Sequence, residues 1–142
     1  MVGGQAADLL AETRDVNLED IVYIHRHKTA DLLICSVRLG ALIAGATREK
    51  AQHLAEYAKH IGMAFQIQDD ILDVVGDDRK LGKQTGRDQS RGKATYISLL
   101  GFEKTEQELA NHIRNAKEAL RNANVEDAIL LDLADYMIDR DV

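Results

Sequence analysis

Residues 62–73 read GMAFQIQDDILD, and their arrangement on a helix decides the fold. Successive residues step by roughly 100° around an α-helix. On that wheel Leu54, Ala58, Ile61, Phe65 and Leu72 form an apolar stripe. Met63, Ala64, Ile67 and Ile71 carry apolar character around most of the remaining circumference. Gln66, Asp69, Asp70 and Asp73 share one sector, about 100° wide, with Gly62. Gln68 is the single polar residue outside it. A helix that is apolar nearly all round is a buried helix, so the polar sector is expected to face an internal cavity.

Three carboxylates within five residues repel one another, and partial burial raises the cost of ionising them. They also sit in the last two turns, where the helix dipole is already negative. A divalent cation removes both costs. Mg²⁺ takes one or two carboxylates, retains water and completes its shell with substrate phosphate. The pattern therefore makes Asp69, Asp70 and Asp73 candidate metal ligands, with Gln66 beside them.

The rest of the chain fits a helical frame. Of 142 residues none is Pro or Trp, and only 4% are aromatic. A β-rich fold would call for turn prolines and strand-forming aromatics, so the fold class is all-α. Helices are expected from residue 6 to 13, from Asn17 to about residue 46, and from a Thr47 cap through Asp73 with a stop at Gly76. Others are expected over residues 94–100, after a Thr105–Glu108 capping box, and from Asn124 and Asp127 onward. Residues 76–93 shift sharply in composition, with four glycines and six Lys/Arg, and are expected to form a loop. No repeat or low-complexity tract is present.

The net charge of −6 leaves no basic excess to neutralise phosphates, which argues against a nucleic-acid partner. One cysteine, Cys35, excludes an internal disulfide and suits a reducing cytosol. The most apolar stretch, residues 32–46, is interrupted by Arg38 and is shorter than the ~20 residues of a transmembrane helix. A soluble cytoplasmic chain is the expectation.

Lys28 falls within the stripe of Ile21, Ile24, Leu32, Cys35, Leu39 and Leu42. A lysine on a core face either snorkels out or meets an anion. Thr29 lies beside it. His25 and His27 are two residues apart and do not face each other on a helix, so no shared chemistry is assigned to them. Gly82-Lys83 and Gly92-Lys93 lack the spacing and the following Ser/Thr of a P-loop. Glycine nonetheless lets backbone approach a phosphate while lysine supplies charge.

Phe65-Gln66-x-x-Asp69-Asp70-x-x-Asp73 is followed by Gly76-Asp77, Leu81-Gly82-Lys83, Gly86-x-Asp88 and Gly92-Lys93-x-Thr95-Tyr96. With Gly3-Gly4-Gln5, Asp8 and His27-Lys28-Thr29 in order, the chain closely resembles the trans-isoprenyl diphosphate synthases, nearest to bacterial farnesyl-forming members. The resemblance implies part of an all-helical isoprenoid-synthase bundle that joins an allylic diphosphate to isopentenyl diphosphate. Asp69, Asp70 and Asp73 would bind Mg²⁺, and Lys28, Lys83 and Lys93 would contact the diphosphate. Gln66 and Thr29 would line the cavity near the allylic cation. Ile97 stands where the family usually has Pro. The family's first Asp-rich motif and its isopentenyl diphosphate-binding residues lie before Gly3. Residues 1–142 are thus expected to be the C-terminal portion of one domain, inactive alone and homodimeric when complete. Alternatives are a geranylgeranyl-forming synthase or a non-catalytic partner subunit.

Overall fold

Every regular element in the computed structural model is helical, among the residues it describes: 1–75, 94–126 and 128–139. In chain order these are α1 (Val2–Ala11), α2 (Leu18–His25), a π-helical turn (Arg26–Ala30), α3 (Asp31–Ile43) and α4 (Arg48–Val75). They are followed by α5 (Tyr96–Leu100), α6 (Phe102–Asn122) and α7 (Ala128–Asp139). The expected loop at residues 76–93, including Gly76, lies outside the described residues, as does Asp127.

Local chemistry sets most of the boundaries. Asn17 and Asp20 form a reciprocal capping box at α2: the Asn17 side chain accepts the Asp20 N–H, and the Asp20 carboxylate accepts the Asn17 N–H. Thr47 Oγ1 accepts the Lys50 N–H ahead of α4. Two of the expected helix starts fail. Thr105 is no cap; it is fully buried in the first turn of α6 and donates to the Gly101 carbonyl at 2.9 Å. Gly101, with φ of +81°, ends α5 and restarts the chain as α6, and the true capping box is Thr95 with Ser98. Asn124 adopts a φ of +49° and closes α6 instead of opening α7.

Helix α4 spans 28 residues and packs most extensively on α6. Leu109, Ile113, Ala116 and Leu120 of α6 recur at helical spacing and are buried against Ile61, Ala64, Ile67 and Ile71 of α4. Helix α7 closes this layer with Ala134 and Met137. Two polar ties fasten it to α4: Tyr57 donates to the Leu130 carbonyl at 2.8 Å and Gln68 to the Ile138 carbonyl at 3.2 Å. Gln68 thus satisfies itself inside the core.

The apolar stripe around Lys28 holds only in its first half. Ile21 and Ile24 are buried, whereas Leu32, Leu39 and Leu42 are 55%, 55% and 74% exposed, and Cys35 is also exposed. The π turn is the physical reason. Its i→i+5 bonding adds a residue to one turn and rotates α3 relative to α2. Ala30 and Ala41 become buried in their place, and Leu33 packs against the core.

Candidate active site

The π turn is gripped between two glycines. A Cβ on Gly4 of α1 would lie 2.2 Å from the Lys28 backbone nitrogen, and one on Gly62 of α4 would lie 2.6 Å from Ala30 Cα. Only side-chain-free positions permit these approaches. The packing fixes where Lys28 projects, with α1 on one side and the polar sector of α4 on the other.

A cavity of about 330 Å³ opens at this junction. It is lined by Asp8, Ile21, Ile24, His25, Lys28, Gln66, Asp69, Asp70, Asp73 and Ala94. The polar sector of α4 therefore does face a shared internal space, together with Lys28. Thr29 is half-buried on the same turn but is not among the lining residues. Lys83 and Lys93 lie outside the described residues.

Within the cavity the groups are already engaged with one another. Lys28 Nζ donates to Asp8 Oδ2 at 2.7 Å, so the core-facing lysine meets an anion supplied by the chain itself. Gln66 Nε2 donates to Asp69 Oδ2 at 3.1 Å. Asp70 turns towards α5: its Oδ2 accepts the Tyr96 N–H at 2.9 Å and lies 3.9 Å from His25 Nε2. The His25 ring stacks on Tyr96 with centroids 5.4 Å apart. Burial, reinforced by the Glu108 and Asp70 carboxylates, pushes the Tyr96 phenol up to about 12 and keeps it neutral.

Two contributors carry no assigned role in the sequence reading. Asp8 is one turn from Gly4 and shares its face, which places it beside Lys28. His25 is one turn beyond Ile21, on the buried face of α2. The periodicity was visible at both positions; the partners that use it come from other helices.

Among the described residues, no three His, Cys, Asp or Glu side chains converge closely enough to enclose a metal ion. All three aspartates line the cavity, Asp69 and Asp73 spaced i, i+4, and Asp70 in addition makes the α5 contact. Such a donor set is all oxygen and supplies few protein ligands. It fits a hard cation that keeps water and shares its shell with phosphate, as Mg²⁺ does.

No helix among the described residues is long and apolar enough to cross a membrane. Residues 1–130 match the polyprenyl synthetase family. The chain is 48% identical over 141 residues to farnesyl diphosphate synthase of Geobacillus stearothermophilus, covering 99% of this chain and 48% of that protein. It is 40% identical over 141 residues to geranylgeranyl diphosphate synthase of Cyanophora paradoxa, covering 99% and 47%. Its fold is similar to that of a Helicobacter pylori geranyltransferase solved with magnesium and isoprenyl diphosphate. That match has a TM-score of 0.77 at 28% identity, covering 98% of this chain and 46% of the other. The chain spans about half the length of the relatives it matches. On the extent of these matches, the chain belongs to the polyprenyl synthetase family.

Proposed function

We propose that the chain forms the diphosphate-binding side of a prenyltransferase site that joins an allylic diphosphate to isopentenyl diphosphate. The observation that carries this reading is the convergence of Lys28, Gln66, Asp69 and Asp73 on one cavity. Lys28 holds positive charge where the diphosphate departs, and Lys83 and Lys93 add to it from the segment before α5. Asp69 and Asp73 would hold Mg²⁺, which when bound neutralises the diphosphate and favours its departure. Asp70 contributes as a positioning residue, since its carboxylate anchors the start of α5. Gln66 and Thr29 are assigned to the region around the allylic carbon.

The chemistry needs no side-chain nucleophile. The allylic C–O bond ionises, the isopentenyl double bond attacks the resulting cation, and the released diphosphate takes the proton lost from the adduct. Catalysis is then mainly electrostatic, with cationic groups aimed at the developing diphosphate charge. A farnesyl product is favoured over geranylgeranyl by the higher identity to the farnesyl-forming relative. The complete enzyme is proposed to be a homodimer.

The test supplies the other half of a relative as a separate polypeptide, co-expressed with this chain. Prenyl transfer is expected, and Asp69→Ala is expected to abolish it. Activity that survives Asp69→Ala would overturn the site assignment. A pair that assembles yet shows no turnover would favour a non-catalytic partner subunit.

A further inference from the structure

Earlier along α4, before the aspartate sector, four helices border a second cleft, of about 450 Å³. Met63 of α4 and Tyr96 of α5 are 4% and 3% exposed and form its floor, with Leu18, Val22 and Leu100 on the walls. Arg26, Lys59 and Lys104 stand around this apolar surface, from the π turn, α4 and α6. Among the described residues that line the cleft, Glu108 is the sole carboxylate. Three cations therefore face one anion in a chain whose net charge is −6. Arg26 and Lys59 each have an acid nearby, Asp31 at 3.8 Å and Glu56 at 2.9 Å, but neither acid lines the cleft. Lys104 is exposed and has no ion-pair partner among the described residues. His112 borders the cleft too. Its Nδ1 shares a 2.9 Å hydrogen bond with His60 Nδ1, and burial keeps the ring neutral, so it adds no charge at pH 7.

We propose that this cleft binds a small amphiphilic anion, its hydrocarbon tail on Met63, Val22 and Leu100 and its phosphate or carboxylate head among Arg26, Lys59 and Lys104. The volume lies within the roughly 300–1,000 Å³ of small-molecule sites, and a mainly apolar lining with a few charged groups is their usual chemistry. Burial of the tail supplies most of the affinity. The cations decide which end stays at the rim, since lysine and arginine lay apolar stems on such a surface while their charged ends reach water. Exposed cations hold a free ion only weakly, so inorganic phosphate is not a ligand without a tail. Tyr96 separates the two spaces: it lines the cleft, while its N–H is held by Asp70 of the aspartate cavity. The cleft itself contains no aspartate, and binding there is expected without Mg²⁺.

The test titrates the full chain with octyl phosphate, below its micellar concentration and with EDTA present, by calorimetry. One equivalent is expected, with methyl NMR shifts at Leu18, Val22, Met63 and Leu100. Lengthening the tail from hexyl to octyl should tighten binding by about fourfold per methylene. Octanoate is expected to bind as well, and the tighter of the two anions identifies the head group. Octanol should bind at least about tenfold more weakly. The double variant Arg26→Gln, Lys104→Gln, at two exposed positions, is expected to weaken octyl phosphate by at least about tenfold and to leave octanol unchanged. Val22→Asn should weaken both. Lys28→Ala and Asp69→Asn are expected to change nothing here, which separates this cleft from the aspartate cavity and its proposed reaction. Circular dichroism establishes that each variant is folded. Equal affinity for octyl phosphate and octanol, absence of binding, or loss of binding in Lys28→Ala would overturn the proposal. So would loss of binding once the other half of a relative is assembled on the chain, because the cleft would then be an interface for that half.

Discussion

Lys28 and Asp8 form a 2.7 Å ion pair in which the Asp8 side chain is only 7% exposed. The pair joins α1 to the π turn and holds the lysine over the aspartate sector of α4. It also means that an incoming diphosphate competes with Asp8 for the same ammonium group. Asp8→Asn keeps the shape of the side chain and removes its charge. We predict a stability loss of about 1.5–3 kcal/mol, the range for a hydrogen bond to a charged group, read from urea unfolding. The same variant is predicted to bind diphosphate severalfold more tightly in the presence of Mg²⁺, because Lys28 is no longer neutralised. Lys28→Ala should weaken that binding by at least about tenfold. Equal weakening by both substitutions would refute the competition.

Adjacent aspartates should fail in different ways. Asp70 accepts the Tyr96 N–H and sits near His25, so its loss leaves a buried backbone donor unpaired. Asp70→Ala is predicted to cost about 1–3 kcal/mol of stability, and amide exchange should accelerate at Tyr96. Asp69→Ala, which loses the Gln66 hydrogen bond but leaves no backbone donor unpaired at Tyr96, is predicted to leave Tyr96 amide exchange unchanged and to remove Mg²⁺-dependent diphosphate binding. Calorimetry, urea titration and amide exchange on both variants check the split. The reverse pattern would exchange the proposed roles of the two residues.

The aspartate sector was legible because it lies within one helix, where a fixed angular step places every side chain relative to its neighbours. Gln66, Asp69, Asp70 and Asp73 share a cavity for that reason. What periodicity could not show is how each carboxylate is spent. The bond from Asp70 to Tyr96 crosses 26 residues, and the bond from Lys28 to Asp8 crosses 20. Both are settled by tertiary packing. The stripe through Leu32, Leu39 and Leu42 was misjudged for a related reason. A constant α-helical step was carried through Arg26–Ala30, where the chain makes a π turn that no local residue pattern announces. Thr105-x-x-Glu108 has the letters of a capping box, but Gly101 starts that helix four residues earlier.

Gly62 tests whether the π turn depends on close helix contact. Its missing Cβ would meet Ala30 Cα at 2.6 Å, and that backbone atom cannot swing aside as a flexible side chain would. Gly62→Ala gains helix propensity in isolation, by about 1 kcal/mol. Overpacking is predicted to outweigh the gain, giving a net loss of about 1–3 kcal/mol. Diphosphate affinity should fall with it, because Lys28 shares the displaced turn. Gly40→Ala supplies the control, since nothing lies within 4 Å of its Cβ position. That variant is predicted to be neutral or stabilising in the same thermal melt.

The His60–His112 contact predicts how stability changes with acid. Burial pulls His112 from the ordinary 6.5 down to about 4, and it lowers His60 in the same direction. Both rings stay neutral in the folded chain at pH 7. As pH falls below about 6.5, the unfolded chain takes up protons that the folded chain refuses, so the equilibrium moves towards unfolding. The loss should accumulate between pH 6.5 and 4 and level off below the folded value of His112. For that ring alone its size is on the order of 2–3 kcal/mol, allowing for partial exposure. Glu56 is lowered below its usual range by its hydrogen bond to Lys59, so the stability it adds is lost at more acidic pH and leaves the upper part of this window clear. Urea unfolding of the metal-free chain at pH 7 and pH 5 should therefore show a clear drop in midpoint. His112→Gln removes the titrating ring and should flatten most of that drop; an undiminished slope in the folded variant would place the titration elsewhere.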